Sequence, residues 1–382
     1  MKKCILFIYK STGSLDLLIG LTLTNKLPFQ IESIEIVSDS IDYYAKIKNS
    51  TNELDLIREK YNVDIYFSKF FIRDEKLLNF SIHVYRLIQN YFFNSQIILK
   101  LIRKFFSILN FKNLNRNITR FKKSLTDESL IFIERKNWDI RHIAVSNNFH
   151  DKNIYIIPDA PMRQKDGYTN HRNFINKKNK ILLIPKGHPE KGNNTKLIYE
   201  PIAGNQEFIK KMKYLMSEYK KKYGYKKSIL ILLQKYSDIS KKAEFINWKG
   251  RKMLSKYLSK KYFNQVFSNI KKSEKIQIIL SSHPGLSLKA YQENERGNSK
   301  TKDLINSNKK FYLKINEKLS LANGISSKNV YSEFTSSLFY FPNSNIIIKK
   351  GNTFEYYTKD NLIKEDYENF LLSNKLSFLT SN

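Results

Sequence analysis

"KIQIILSSHPGLS", Lys275–Ser287, carries apolar residues from Ile276 to Leu280 and then stops at Ser281, Ser282 and the dipeptide His283-Pro284. A short apolar run closed by polar and turn residues reads as a buried strand. Pro284 fixes its own φ and pushes His283 toward an extended backbone, which limits where the imidazole can point. In an open parallel sheet, ligands bind outside the carboxyl ends of the strands, so a histidine held there can donate to a bound phosphate. His-Pro also makes ordinary turns. A second one, His188-Pro189 in "LLIPKGHPEKGNN", lies among Gly, Asn and Lys and reads as a surface loop.

Working outward, similar runs recur along the chain. "CILFIY" (4–9), "IESIEIVSD" (31–39), "VDIYFS" (63–68), "HIAVSN" (142–147) and "NIYIIPD" (153–159) each read as a strand, and longer amphipathic stretches separate most of them. A second series holds "SILILLQ" (228–234), "KIQIILSS" (275–282), "KNVYSEF" (328–334) and "NIIIKK" (345–350). Strands alternating with helices predict an α/β fold built on parallel sheets with helices on both faces. The two series predict two Rossmann-like domains, 1–205 and 228–350. A basic helical linker spans 206–227, and a helical tail, 351–382, is free to cross back to the first domain. A cleft between such domains places one site where the strand ends of both halves face each other.

Composition narrows the class. The 382 residues are comfortable for two domains, and 41% hydrophobic content with few Gly (12) and Pro (8) excludes a disordered chain. One cysteine, Cys4, excludes an intramolecular disulfide and a cysteine zinc site, which fits a reducing, cytoplasmic setting. The start, "MKKCILFIYKSTGSLD", is interrupted by polar residues too soon for a signal peptide, and no run approaches the roughly 20 apolar residues of a spanning helix. The formal charge of +32 implies polyanionic company: nucleic acid, anionic lipid or an acidic substrate. A genome rich in AAA and AAT codons inflates Lys, Asn and Ile together and accounts for part of that excess.

Three further elements carry candidate chemistry. "YSEFTSSLFYF" reads as a strand end followed by Thr335, Ser336 and Ser337 opening a helix, where hydroxyls cap free amides and the same amides suit an anion. Asp159 ends "NIYIIPDAP", pinned between Pro158 and Pro161, and reads either as a cap or as a carboxylate aimed into the cleft, where it would serve as a general base. Asp166 in "QKDGYTN" is its rival, although Asp-Gly is also a common turn. The chain has no GxxxxGK[ST], no GxGxxG after a strand and no histidine pair at metal-ligand spacing, so nothing in it suggests a bound metal.

An acidic strand end in the first half, a strand-HP element in the second and a serine pair beyond it resemble the bacterial sialyltransferases of the GT-B type, and among them the capsular polysialyltransferase family. The resemblance spans roughly residues 1–350, mostly through order and placement. It implies a GT-B fold, two Rossmann-like domains facing across a cleft, and no metal or other cofactor. It maps the donor-phosphate HP motif onto His283 and Pro284, the serine motif onto Ser336 and Ser337, and the base onto Asp159. The acidic motif departs from the family: "PDA" stands where an acidic pair followed by Gly is expected, which keeps Asp166 in contention. The implied reaction moves sialic acid from CMP-sialic acid, with inversion, to an anionic or lipid-linked glycan acceptor of the cell surface. A relative using another nucleotide sugar fits the same residues.

Two other readings stay open. "KKMKYLMSEYKKKYGYKK" interleaves Tyr and Lys in a way that can stack bases and track phosphates, although no nucleic-acid-binding motif accompanies it. In "SQIILKLIRKFFSILNFKNLNRNITRFKKSL", Ile98, Leu101, Ile102, Phe105, Ile108 and Leu109 share a helical face, with Lys100, Arg103 and Lys104 opposite. Such a helix either packs on the sheet with its cations in water or lies on anionic lipid, which would place the protein peripherally at the inner face of the cytoplasmic membrane.

Overall fold

The computed structural model describes residues 2–9, 12–92, 96–134, 140–163, 179–188, 195–224, 228–232, 276–281, 311–315, 318–332, 335–342, 346–349, 361–376 and 378–379. Asp166, His283 and Pro284 lie outside the described residues.

The first half runs β1 (Lys2–Phe7), α1 (Gly13–Leu23), β2 (Ile31–Val37), α2 (Ile41–Asn49), α3 (Thr51–Tyr61) and β3 (Asp64–Phe67). It continues through α4 (Glu75–Phe92), α5 (Gln96–Asn110), α6 (Leu114–Lys123), β4 (Leu130–Glu134), α7 (Ile140–Asn148), β5 (Ile154–Ile157), β6 (Lys180–Pro185) and β7 (Thr195–Tyr199). Its strands form one parallel sheet in the order β3-β2-β1-β4-β5-β6-β7. The helix α8 (Gln206–Tyr223) leads into the second half. There β8 (Ser228–Leu232), β9 (Ile276–Ser281), β10 (Phe311–Ile315), α9 (Ser320–Ser326), β11 (Asn329–Ser332), a 3-10 helix (Ser336–Tyr340), β12 (Ile346–Lys349), α10 (Asn361–Asn374) and β13 (Phe378–Leu379) follow. The second sheet is also parallel, in the order β10-β9-β8-β11-β12-β13.

Renumbered from its own first strand, each sheet reads 3-2-1-4-5-6, the doubly wound Rossmann order, and the first adds a seventh strand at its edge. The order reverses between β1 and β4 in one sheet and between β8 and β11 in the other. Loops leaving the strand ends at such a reversal diverge to opposite faces and open a crevice.

Alternation along the strands explains why both faces are covered. On β1, Cys4 and Leu6 face the core with α1, α2 and α8, whereas Ile5 and Phe7 face a second cluster with Ile118, Phe121, Val145 and Phe149 from α6 and α7. The first core continues through Met212 and Leu215 of α8 to Leu230, Val330, Phe339 and Tyr367 of the second half. Phe208, Ile209, Met212, Leu215 and Tyr219 are all buried, so the Tyr/Lys helix gives its apolar face to the core, and Lys60–Glu218 and Lys222–Glu59 pairs tie it to α3.

One expected strand is a helix. His142, Val145, Ser146 and Phe149 are the buried positions, spaced i, i+3, i+4 and i+7, so "HIAVSN" belongs to α7. The strand of that region is β4, "LIFIE", buried at every position.

Candidate active site

Segments that follow strands of both halves meet. β1 runs into Thr12 and the first turn of α1, which carries Asp16; β10 runs toward α9; and β11 runs into the 3-10 helix. Asp16 is 1% exposed. Its Oδ1 accepts the Leu321 N–H at 3.0 Å and its Oδ2 accepts the Ser320 N–H at 3.2 Å, so a carboxylate of the first half caps a helix of the second. Beside it, Lys318 pairs with the fully buried Glu53, and the Ser50 hydroxyl accepts the Leu319 N–H at 3.1 Å.

Burial pushes Asp16 up to about 7, against the opposing pull of its two N–H donors and of Lys46. Lys46 itself is held below the usual lysine range by burial, which the charges of Asp42 and Asp16 only partly offset. A carboxyl group that titrates near neutrality at a strand-end crevice is a functional-site signal. Both of its oxygens, however, are committed to the α9 backbone, which makes Asp16 a latch between the halves.

Ser337 and Tyr340 come to the same place from β11. Thr335 caps the 3-10 helix, its Oγ1 accepting the Ser337 N–H at 3.5 Å. The Ser337 and Ser320 hydroxyls lie 3.4 Å apart. Gly324 of α9 packs so tightly on this turn that a Cβ there would overlap the Tyr340 carbonyl oxygen. Glycine is what lets α9 and the 3-10 helix approach. The Tyr340 ring packs edge-on to Phe208, 6.4 Å between centroids, and its hydroxyl is buried with no hydrogen-bond partner among the described residues. Burial, with Asp16 and Asp159 close by, holds that hydroxyl well above the usual tyrosine range.

Asp159 therefore stands at the end of β5 on the first half's side of this cluster, half-buried, with Tyr340 across from it. The turn that carries it is anchored two ways. The Arg163 N–H and Nε donate to Asp366 of α10 at 2.8 and 2.7 Å, and Arg163 Nη2 reaches Glu365 at 3.0 Å. Burial lifts Asp366 to about 6 despite that partner. His188, of the other His-Pro pair, closes the turn after β6, its N–H donating to the Pro185 carbonyl at 3.1 Å. Gly187 before it has φ +81° and lies against the Arg163 guanidinium, so this histidine sits at a strand end of the first sheet.

Of the residues the sequence marked, Ser337 lies beside Ser320 at the start of α9 that Asp16 holds, Ser336 opens the same 3-10 helix, and Asp159 is within electrostatic reach of the Tyr340 hydroxyl; Asp16 and Tyr340 the sequence did not mark. Asp16 reads locally as an ordinary first-turn acid of α1, and Tyr340 sits in the apolar run "SLFYF" that looks like core. Ser14 of the same α1 turn adds another buried hydroxyl with no partner among the described residues.

No protein-family model matches the chain. No curated protein matches it significantly. Among solved structures it is similar to a UDP-N-acetylglucosamine 2-epimerase, at 11% identity and a TM-score of 0.38 over 99% of this chain and 91% of that one. It is similar to a trehalose-6-phosphate synthase at 8% identity and a TM-score of 0.35, over 98% and 96% of the two chains. A sialyltransferase from Photobacterium damsela matches at 9% identity and a TM-score of 0.27, over 99% and 82%. These are likenesses of chain course, and the chemistry is read from the site's own residues.

Proposed function

We propose that the protein is an inverting glycosyltransferase that moves sialic acid from CMP-sialic acid to a surface-glycan acceptor. The supporting observation is the meeting of a first-half carboxylate, Asp159, with the hydroxyl-bearing turn Thr335–Tyr340 of the second half, across the strand ends of two doubly wound sheets. In this reading the acceptor hydroxyl loses its proton to Asp159 as it attacks the anomeric carbon, and CMP leaves with the bonding pair. Ser336, Ser337 and Tyr340 donate to the phosphate as its charge develops, in a site where fixed donors need no reorganisation. His283, by the resemblance, adds a donor from the end of β9. The leaving group needs no metal if these donors offset its charge. The positive charge of the chain favours an anionic or lipid-linked acceptor at the inner face of the cytoplasmic membrane, held peripherally.

The test offers the purified protein CMP-sialic acid and a panel of other nucleotide sugars and follows which nucleotide is released. Asp159→Asn should lower transfer at least about 100-fold, the lower bound for a lost general base, with nucleotide binding retained. Release of UDP or GDP alone would replace sialic acid by another sugar in the same mechanism. An active Asp159→Asn with a dead Asp166→Asn would move the base seven residues along the chain.

A further inference from the structure

The helix pair α4 and α5 presents apolar side chains to solvent. Leu101, Phe105 and Ile108 of α5 are 64, 62 and 61% exposed, and they fall at i, i+4 and i+7, one continuous stripe. Phe80 and Leu87, seven residues apart on α4, are exposed as well. The inward side of α5 is a different set. Phe106 and Asn110 are buried, Phe106 stacks edge-on with Tyr85, Ile102 packs against the first core, and Arg103, still 44% exposed, pairs with Asp42. The helix is thus apolar on both faces, with a second stripe beyond the one that the core covers.

Charge says what covers the stripe. Between Glu75 and Asp127 the chain has no carboxylate, so every permanently charged side chain of α5 and α6 is a cation. Lys104, expected opposite the apolar face, instead borders the stripe, three residues from Leu101 and four from Ile108, where its long stem can run along apolar surface with the ammonium at a headgroup. On the neighbouring α4, Lys76 beyond Glu75 is exposed as well. An apolar stripe on helices whose own charged side chains beyond Glu75 are all cations matches an anionic bilayer surface, with acyl chains beneath a layer of negative headgroups. No helix among the described residues is long and apolar enough to cross a membrane, so this contact would be peripheral.

We infer that α5 docks on anionic lipid, inserting Leu101, Phe105 and Ile108 below the headgroups while Lys100 and Lys104 of the same helix hold the phosphates. This extends the membrane-side location proposed above, and its test is independent of the donor sugar. Full-length protein is sedimented with vesicles of phosphatidylglycerol and phosphatidylcholine, and with phosphatidylcholine alone. The wild type should bind the anionic vesicles at least tenfold more tightly. Leu101→Ser/Phe105→Ser/Ile108→Ser should lose at least tenfold in binding while melting like the wild type. Lys100→Gln/Lys104→Gln should lose the preference for anionic lipid. As a direct readout of depth, Phe105→Trp should gain fluorescence quenched by brominated acyl chains, beyond the background of Trp138 and Trp248. Failure of the wild type to bind, equal binding by the serine variant, or a wild type that dimerises through the stripe and ignores vesicles would each overturn the assignment.

Discussion

α5 and α8 look alike in sequence, each a basic amphipathic helix, and they end in opposite surroundings. α8 lays Met212 and Leu215 into the core shared by both halves and turns its lysines to carboxylates, as in Lys222–Glu59. α5 gives Ile102 and Phe106 to that core but leaves its Leu101, Phe105 and Ile108 stripe outward, with a half-exposed Arg103 paired to Asp42. Amphipathicity therefore locates apolar residues without saying how many of them are covered. Carboxylates on neighbouring elements meet the cations of both helices, Glu59 of α3 for α8 and Asp42 of α2 for α5.

The largest expected effect bears on that contrast. Leu215→Ala empties a fully buried position and should cost about 2–5 kcal/mol, whereas Leu101→Ala should stay within about 0.5 kcal/mol. Urea unfolding of the two variants compares them, and similar losses would mean that the α5 stripe is packed after all.

Next comes pH, which compares the latch with the rest of the fold. Folded Asp16 titrates at about 7, against the ordinary value of 3.8, so between about pH 4 and 7 the folded chain keeps a proton that the unfolded chain has shed. The stabilisation is fully present below pH 4 and declines as pH rises to 7, by up to about 1.4 kcal/mol per unit. Asp366, at about 6, adds a slope of the same sign in the lower part of that range. Above pH 6 the slope belongs to Asp16, and Asp16→Asn should flatten it in urea midpoints taken across pH. An unchanged slope would place the proton elsewhere.

Smallest in stability is Tyr340→Phe. It removes a buried hydroxyl that has no partner among the described residues, so the fold should lose nothing measurable, or gain slightly. Transfer should nevertheless fall about tenfold if that hydroxyl meets the departing phosphate. A variant that melts and turns over like the wild type would remove Tyr340 from the chemistry.

Much of the architecture is written in local patterns. Alternating apolar runs that end in polar residues mark β1, β2, β3, β5, β8, β9, β11 and β12, and with them two parallel sheets. β4 escapes because "LIFIE" is buried on both faces and has no alternation to separate it from a buried helical turn. β7 escapes for the opposite reason: on the sheet edge, only Tyr199 is buried. Among the site candidates, Asp159 and Ser337 could be marked from sequence because strand ends are where a parallel sheet presents side chains. Asp16 and Leu321 are not, since their hydrogen bond joins residues 305 positions apart and leaves no periodicity behind.

After β12 the chain leaves the second sheet, docks α10 on the first half through Arg163–Asp366 and the Ser373 hydroxyl on the Gly204 carbonyl, and then returns to the second sheet as β13. The halves are thus joined along α8, along α10 and again where Asp16, Ser50 and Glu53 of the first half hold the start of α9. A body attached at two points can turn about the line through them; a third attachment off that line stops the turn. In mechanical terms the α9 contacts are the bolt on the strand-end crevice: while they hold, its two sides keep their spacing.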